Sequence, residues 1–303
     1  MFMVFIEGKT RALAALWAAV LLWASSFIVL KIAFQRFDPM VVIFGRMFVA
    51  SLCFLLVFKN LRRIDYQPGD WKLLAFMGIC EPGLYFVFEA MALTYTDASQ
   101  AGMICALLPL MVAVAARLTL KEPLKWRTVA GFCLAILGAV ILSSVAEPTA
   151  TASNPTLGNF LEFLAMVCAC GYMISLKKLT PRYSPWFLTM VQAFVGSAFY
   201  FPLLFLPSTD LPTAFDFTGV AAVLYLGVFV SLGAYGMYNY GMSKIPTAQA
   251  SAFINLIPVI TLGMGFLLLG ERLNWMQYAA SALVVAGVYV SQDAKSKKAA
   301  STD

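Results

Sequence analysis

The strongest constraint on the fold is an internal repeat. Residues 249–290, QASAFINLIPVITLGMGFLLLGERLNWMQYAASALVVAGVYV, lie without a gap over residues 100–141, QAGMICALLPLMVAVAARLTLKEPLKWRTVAGFCLAILGAVI. Gln100/Gln249, Pro109/Pro258, Glu122/Glu271, Trp126/Trp275 and Gly138/Gly287 fall in register. Apolar matches alone arise from composition; a proline, a glutamate and a tryptophan in register do not. Each copy is an apolar span carrying a proline, a short charged turn and a second apolar span. Repetition decides what unit must be explained, and here the unit is half the chain. Upstream, Lys31/Lys177, Arg36/Arg182, Pro39/Pro185 and Ser51/Ser197 align more weakly at an offset of 146.

The apolar runs fix the environment. Hydrophobic residues make up 61% of the 303 residues and charged residues only 12%, against roughly a quarter charged in soluble proteins. A hydrocarbon core of about 30 Å takes roughly 20 residues at 1.5 Å each. Runs of that length fall at about 11–33, 39–58, 71–93, 98–118, 126–145, 159–177, 185–206, 217–241, 247–269 and 275–291. The expected fold is an all-α membrane protein of ten transmembrane helices, five per repeat. Residues 1–145 form the first repeat, the Pro/Ser/Thr-rich segment 146–158 a linker, and 159–303 the second. The net charge of +6 is scattered in short clusters between spans, so it points to a bilayer partner and not to nucleic acid. The chain has no histidine, and its six cysteines lie inside apolar spans as small hydrophobes. Neither metal nor cofactor is expected.

Basic residues set the orientation. With the N-terminus inside, about 17 Lys and Arg fall on inner segments and 3 on outer ones, so both termini are expected in the cytoplasm of a cell with this protein in its plasma membrane, most simply a bacterial inner membrane. An odd number of spans per half makes the second half enter from the opposite side. The repeats are therefore expected to be inverted, an architecture of secondary transporters that place the substrate site at the repeat interface.

The motif A-x-x-x-x-x-L-x-P, followed by L-x-E-x-L-x-W and a late glycine, resembles the EamA repeat of the drug/metabolite transporter superfamily. Leu21 to Lys31, LLWASSFIVLK, resembles that family's W-G-S-S-F segment with Ala24 in place of glycine, and Phe44 to Leu56 resembles its second-span arginine segment. The resemblance spans both halves. It implies ten-helix carriers, typically exporters of amino acids or other small metabolites, with a central site lined by the first, third, fourth, sixth, eighth and ninth helices.

Candidate site residues follow from polar groups inside spans, which are costly in lipid and so face protein or water. Glu81, Tyr85 and Glu89 recur every four residues and form one stripe. With Arg46, the lone cation of the second span, the two glutamates are candidates for proton coupling; mutual neutralisation and a substrate-ammonium anchor are the alternatives. Trp23 and Ser25, Tyr172, and the Tyr235/Asn239 pair four residues apart are expected to bind a polar solute, with helix packing as the competing role. Pro109 and Pro258 are expected to bend their helices, and Asn255, one turn before Pro258, to offer an amide. Glu122 and Glu271 are expected to cap the helices that follow them, and Trp126 and Trp275 to anchor at the interface.

These features predict a secondary transporter, not an enzyme, moving a small polar metabolite by alternating access; an exported amino acid or related compound leads. Without a G-x-x-x-x-G-K-[ST] loop, the energy comes from an ion gradient or the solute's own gradient. A nucleotide- or lipid-linked sugar carrier is the alternative, and an intramembrane enzyme a more remote one.

Overall fold

In the computed structural model, residues 2–57, 66–120, 124–245, 250 and 252–291 are described. Among them eight helices are long and apolar enough to cross a membrane: α1 (Thr10–Phe34), α2 (Pro39–Leu56), α3 (Asp70–Tyr95), α4 (Ala98–Thr119), α5 (Trp126–Ser144), α6 (Pro155–Leu179), α7 (Pro185–Phe205) and α8 (Phe217–Lys244). Two shorter apolar helices follow, α9 (Phe253–Leu269) and α10 (Trp275–Ser291). No strand occurs among the described residues. This is the ten-helix, all-α arrangement expected from the apolar runs.

Equivalent ends start in equivalent ways. Pro39 and Pro185 open α2 and α7 behind Asp38 and Ser184, whose side-chain oxygens accept from Met40 N at 2.8 Å and Phe187 N at 3.2 Å, and proline at the first turn forfeits only an N–H that the helix leaves unpaired. The sixth helix corrects the expected boundary. It begins at Pro155 instead of 159, because Asn154 accepts from Leu157 N at 3.2 Å and caps it there.

The helices pair as a pseudo-two-fold demands. The helix α1 packs on α8 and α3 on α6, while α2 packs on α7, α4 on α9 and α5 on α10. Exchanging the halves maps the first two pairs onto each other and each remaining pair onto itself. Polar contacts obey the same rule. Arg182 pairs with Asp70 at 2.8 Å, and the equivalent residues Arg36 and Asp216 approach to 3.8 Å at the other face. Ser51 and Ser197, equivalent to each other, share a hydrogen bond of 3.0 Å.

Small residues bring α5 and α10 together. A Cβ on Gly138 would lie 2.7 Å from Val284 N and 2.9 Å from Ala280 O, and one on Gly287 2.6 Å from Ala135 N. These neighbours are backbone and cannot rotate away, so close approach here depends on glycine. Gly138→Leu is expected to lower the thermal unfolding midpoint of detergent-solubilised protein by several degrees, through overpacking worth about 1–3 kcal/mol. An unchanged midpoint would show that the two helices do not meet at this glycine.

Three helices depart from regular geometry near their centres, and α9 at its start. The helix α3 is broken at Glu81, whose backbone is extended (φ −150°, ψ 116°). Its counterpart α8 widens over Leu226–Ala234. Both α4, at Cys105–Leu107, and α9, at Ala252–Leu256, tighten just before Pro109 and Pro258, where the proline ring obstructs a regular preceding turn. Irregular backbone in a membrane persists only where its polar groups find partners. At the α3 break α7 supplies them: Gln192 Nε2 donates to Glu81 O at 3.3 Å, and the Tyr200 hydroxyl reaches Pro82 O at 3.1 Å and also Gly83 O.

Candidate functional site: a carboxylate-rich central cavity

The irregular centres surround a cavity walled by α1, α2, α3, α4, α6, α8 and α9. Its volume is about 40 Å³ on the measure by which one water takes roughly 10–15 Å³. Room for about three waters does not admit an amino acid, so a larger guest requires the walls to part.

The stripe on α3 supplies the polar wall. Glu81, fixed where the helix breaks, accepts a short hydrogen bond from the Tyr235 hydroxyl. One helical turn on, Tyr85 donates to Glu89 Oε1 at 2.8 Å. Facing them from α2, Arg46 is buried; its Nε donates to Ser231 Oγ at 2.9 Å and its guanidinium carbon lies 4.3 Å from the Phe86 ring centre. The opposite wall is aromatic. Trp23 meets Tyr235 edge-on at 5.2 Å and Tyr238 at 4.7 Å, and Tyr235 also contacts Tyr172 and Phe86. Three lining residues each hold a buried polar atom with no hydrogen-bond partner among the described residues: Trp23 Nε1, Arg46 Nη1 and Glu89 Oε2. Two are donors and one is an acceptor.

The structure thus brings Trp23, Arg46, Glu81, Tyr85, Glu89, Tyr172 and Tyr235 onto one cavity. Asn239 stands behind it, accepting the Tyr172 hydroxyl at 2.6 Å and donating to Thr189 Oγ1 at 2.9 Å, so it holds a wall residue in place. Ser25 is turned away: its hydroxyl bonds Leu22 O at 2.8 Å and Tyr225 at 2.7 Å, while Ser26, one residue and about 100° further round the helix, lines the cavity. Asn255 is half-buried and its neighbours Ile254 and Ile257 form the wall.

Glu271 does not cap its own following helix. It accepts from Ala98 N and Ser99 N, each at 2.9 Å, and from Ser99 Oγ at 2.5 Å, bracing the start of α4. It is free to do so because Asn274 and Gln277 cap α10 reciprocally, at 2.9 and 2.7 Å. Glu122, expected in the parallel role, lies outside the described residues. Trp126 and Trp275 are exposed at the helix ends.

Sequence reasoning missed Gln192, Thr189 and Ser231, single uncharged polar residues of the kind that also mediates helix packing. It also missed Glu162, fully buried in α6 with Oε1 accepting the Cys105 thiol at 3.6 Å. A carboxylate inside an apolar run is itself a signal. A helix starting at 159 puts Glu162 in its first turn, whereas the true start at Pro155 places it two turns deep.

Comparison with known proteins agrees with this architecture. The profile of the EamA-like transporter family matches the chain twice, over residues 10–144 and 156–291. An "Uncharacterized transporter" of Archaeoglobus fulgidus is 27% identical over 271 residues, covering 89% of this chain and 95% of the relative. A "Probable terminal-alkyne amino-acid exporter" of Streptantibioticus cattleyicolor is 25% identical, with 92% of each chain covered. A solved structure described as "Crystal structure of protein" superposes with a TM-score of 0.63 at 20% identity, covering 93% of this chain and 96% of its own, a likeness of fold alone.

Proposed function

The chain belongs to the EamA-like transporter family, and from that premise we propose that it exports an amino acid or a related zwitterion by alternating access between two five-helix repeats. The observation that carries this reading is the set of buried, unpartnered atoms on one cavity: Trp23 Nε1 and Arg46 Nη1 as donors for a carboxylate, Glu89 Oε2 as acceptor for an ammonium group. Such atoms are costly to leave bare, and a zwitterion satisfies both kinds at once. The aromatic wall of Trp23, Tyr172 and Tyr235 adds cation–π attraction for the ammonium end. The amino-acid exporter named among the relatives supports the same substrate class.

A nucleotide- or lipid-linked sugar fits less well. Its phosphates need cationic partners, whereas the cavity holds Arg46 against the two carboxyl groups of Glu81 and Glu89. The orientation belongs to the proposal. Lys31 and Asp97 both bond Thr151 of the linker, and Asn274 bonds Val145 just before it, at a face that the charge asymmetry assigns to the outside.

Thermal unfolding of the purified protein, measured with each proteinogenic L-amino acid and with UDP-sugars, tests the substrate class. A ligand at 100 times its Kd stabilises by about 2.7 kcal/mol, a shift of a few degrees. Stabilisation by UDP-sugars alone would overturn the reading. In a cysteine-free background, Ala150→Cys should react with an impermeant maleimide in intact cells and Tyr66→Cys only after permeabilisation; the reverse pattern would overturn the export orientation.

A further inference from the structure

The carboxylate that the cavity does not use is Glu162. Its Oε2 is buried without a partner among the described residues, as is Oε2 of Glu89 on the facing helix α3. The two residues interact electrostatically. At 1.5 Å per residue, Glu89 lies about 9 Å and Glu162 about 10 Å below the linker ends of their helices, and Glu81 about 21 Å. Glu162 and Glu89 therefore lie at about the same level below the linker face, with Glu81 deeper, at the broken centre of α3.

The turn above Glu162 continues outward in polar groups. Asn159 Nδ2 donates to Gln100 Oε1 at 2.9 Å and to Ser143 Oγ at 3.1 Å, and Thr96 Oγ1 donates to Asn159 Oδ1 at 2.8 Å. Nothing in the fold requires this. At the offset of 146, the residues of α1 equivalent to Asn159 and Glu162 are Leu13 and Leu16, and Leu16 is fully buried. One face of a pseudo-symmetric molecule thus has a polar track to the centre where the other has leucine.

We propose that Glu162 is a proton-binding site, separate from the solute cavity, that passes protons between the solution at the linker face and Glu89. A proton from outside binds the Glu162 carboxylate, moves to the Glu89 carboxylate and so regenerates Glu162, and leaves to the cytoplasm when the cavity opens there; only O–H bonds form and break. The groups facing Glu162 are Glu89 and Tyr85 from α3 and Cys105 from α4. Glu89 interacts electrostatically with Arg46 of α2, Cys105 of α4, Glu162 of α6, Tyr200 of α7, Tyr235 of α8, and Tyr85 and Glu81 of its own helix. Proton entry would then drive solute exit, which deepens the export reading and rests on it.

The test compares the full-length protein with its Glu162→Gln variant in two ways. In proteoliposomes loaded with a mixture of radiolabelled L-amino acids, proton-gradient-driven efflux is expected to fall about 100-fold, the lower end of what a positioned proton-transfer group contributes. Exchange of labelled for unlabelled amino acid without a gradient is expected to stay close to the parent, and Glu162→Asp to recover gradient-driven efflux. Undiminished gradient-driven efflux, or equal loss of efflux and exchange in protein with the parent's unfolding midpoint, overturns the proposal. The second readout needs no solute: the infrared carbonyl band of protonated carboxyl groups, followed from acid to alkaline pH, is expected to lose one component in Glu162→Gln. An unchanged titration overturns the proton site. If the parent moves no amino acid at all, the substrate reading fails while the infrared titration still decides the proton site.

Discussion

Arg46→Gln is expected to abolish amino-acid-induced stabilisation and to lower the unfolding free energy by about 3–5 kcal/mol, the usual cost of removing one partner from buried charges. Arg46 is the guanidinium that interacts with the buried carboxyl groups of Glu81 and Glu89, and it is held rather than mobile, bonded to Ser231 and laid over Phe86. Its removal leaves those carboxyls uncompensated and takes away a donor for a substrate carboxylate. The double variant Arg46→Gln/Glu89→Gln separates the two effects. Stability is expected to recover in part, with a coupling of about 1 kcal/mol or more, because one charge that Arg46 balances is gone. Binding is not expected to recover, since both anchors are then missing. Unfolding midpoints of the variants, with and without amino acid, check this; an Arg46→Gln protein with parental stability and binding would remove Arg46 from the site.

Tyr235→Ala is expected to reduce transport about 100-fold, or about 2.7 kcal/mol at 1.36 kcal/mol per tenfold, while Asn255→Ala changes it little. Tyr235 contacts three aromatic residues of the wall and donates to Glu81. Truncating so large a buried ring also costs about 3–5 kcal/mol of stability, so membrane abundance must be measured alongside transport. Tyr235→Phe keeps the ring and removes the hydrogen bond, leaving a buried carboxylate oxygen bare at about 1–3 kcal/mol. Equal losses of transport in Asn255→Ala and Tyr235→Ala, at equal abundance, would mean that the wall is misassigned.

The contrast between these two residues shows how far the sequence was legible. The ten helices follow from apolar run length, which in lipid is nearly the whole constraint on an element. The stripe Glu81, Tyr85 and Glu89 was legible because charge inside a span has few uses. Angular position was less so. Ser25 and Ser26 differ by a single step of about 100°, and neighbour identity alone does not say which faces the centre. Asn255 sits in the tightened turn before Pro258, where three residues per turn replace 3.6 and a regular-helix projection fails. The reach of Glu271 across to α4 was illegible for a different reason: it is a contact between distant segments, and the short charged turn by itself suggests only the local cap.

The hydrogen bond between Ser51 and Ser197 places the pseudo-two-fold axis between two equivalent side chains, whereas Arg182–Asp70 and Arg36–Asp216 are images of each other at opposite faces. In a carrier whose inward- and outward-open states interchange under that axis, the two kinds of position enter the energetics differently. A substitution at Arg182 changes the energies of the two states unequally and so shifts their populations, since about 1.4 kcal/mol of differential stabilisation is a tenfold change in their ratio. A residue on the axis meets the same surroundings in either state. Changing Ser51 raises or lowers the two together, leaving their ratio untouched and altering only the barrier between them, so axis residues govern how fast such a carrier turns over and the off-axis pairs govern where it rests.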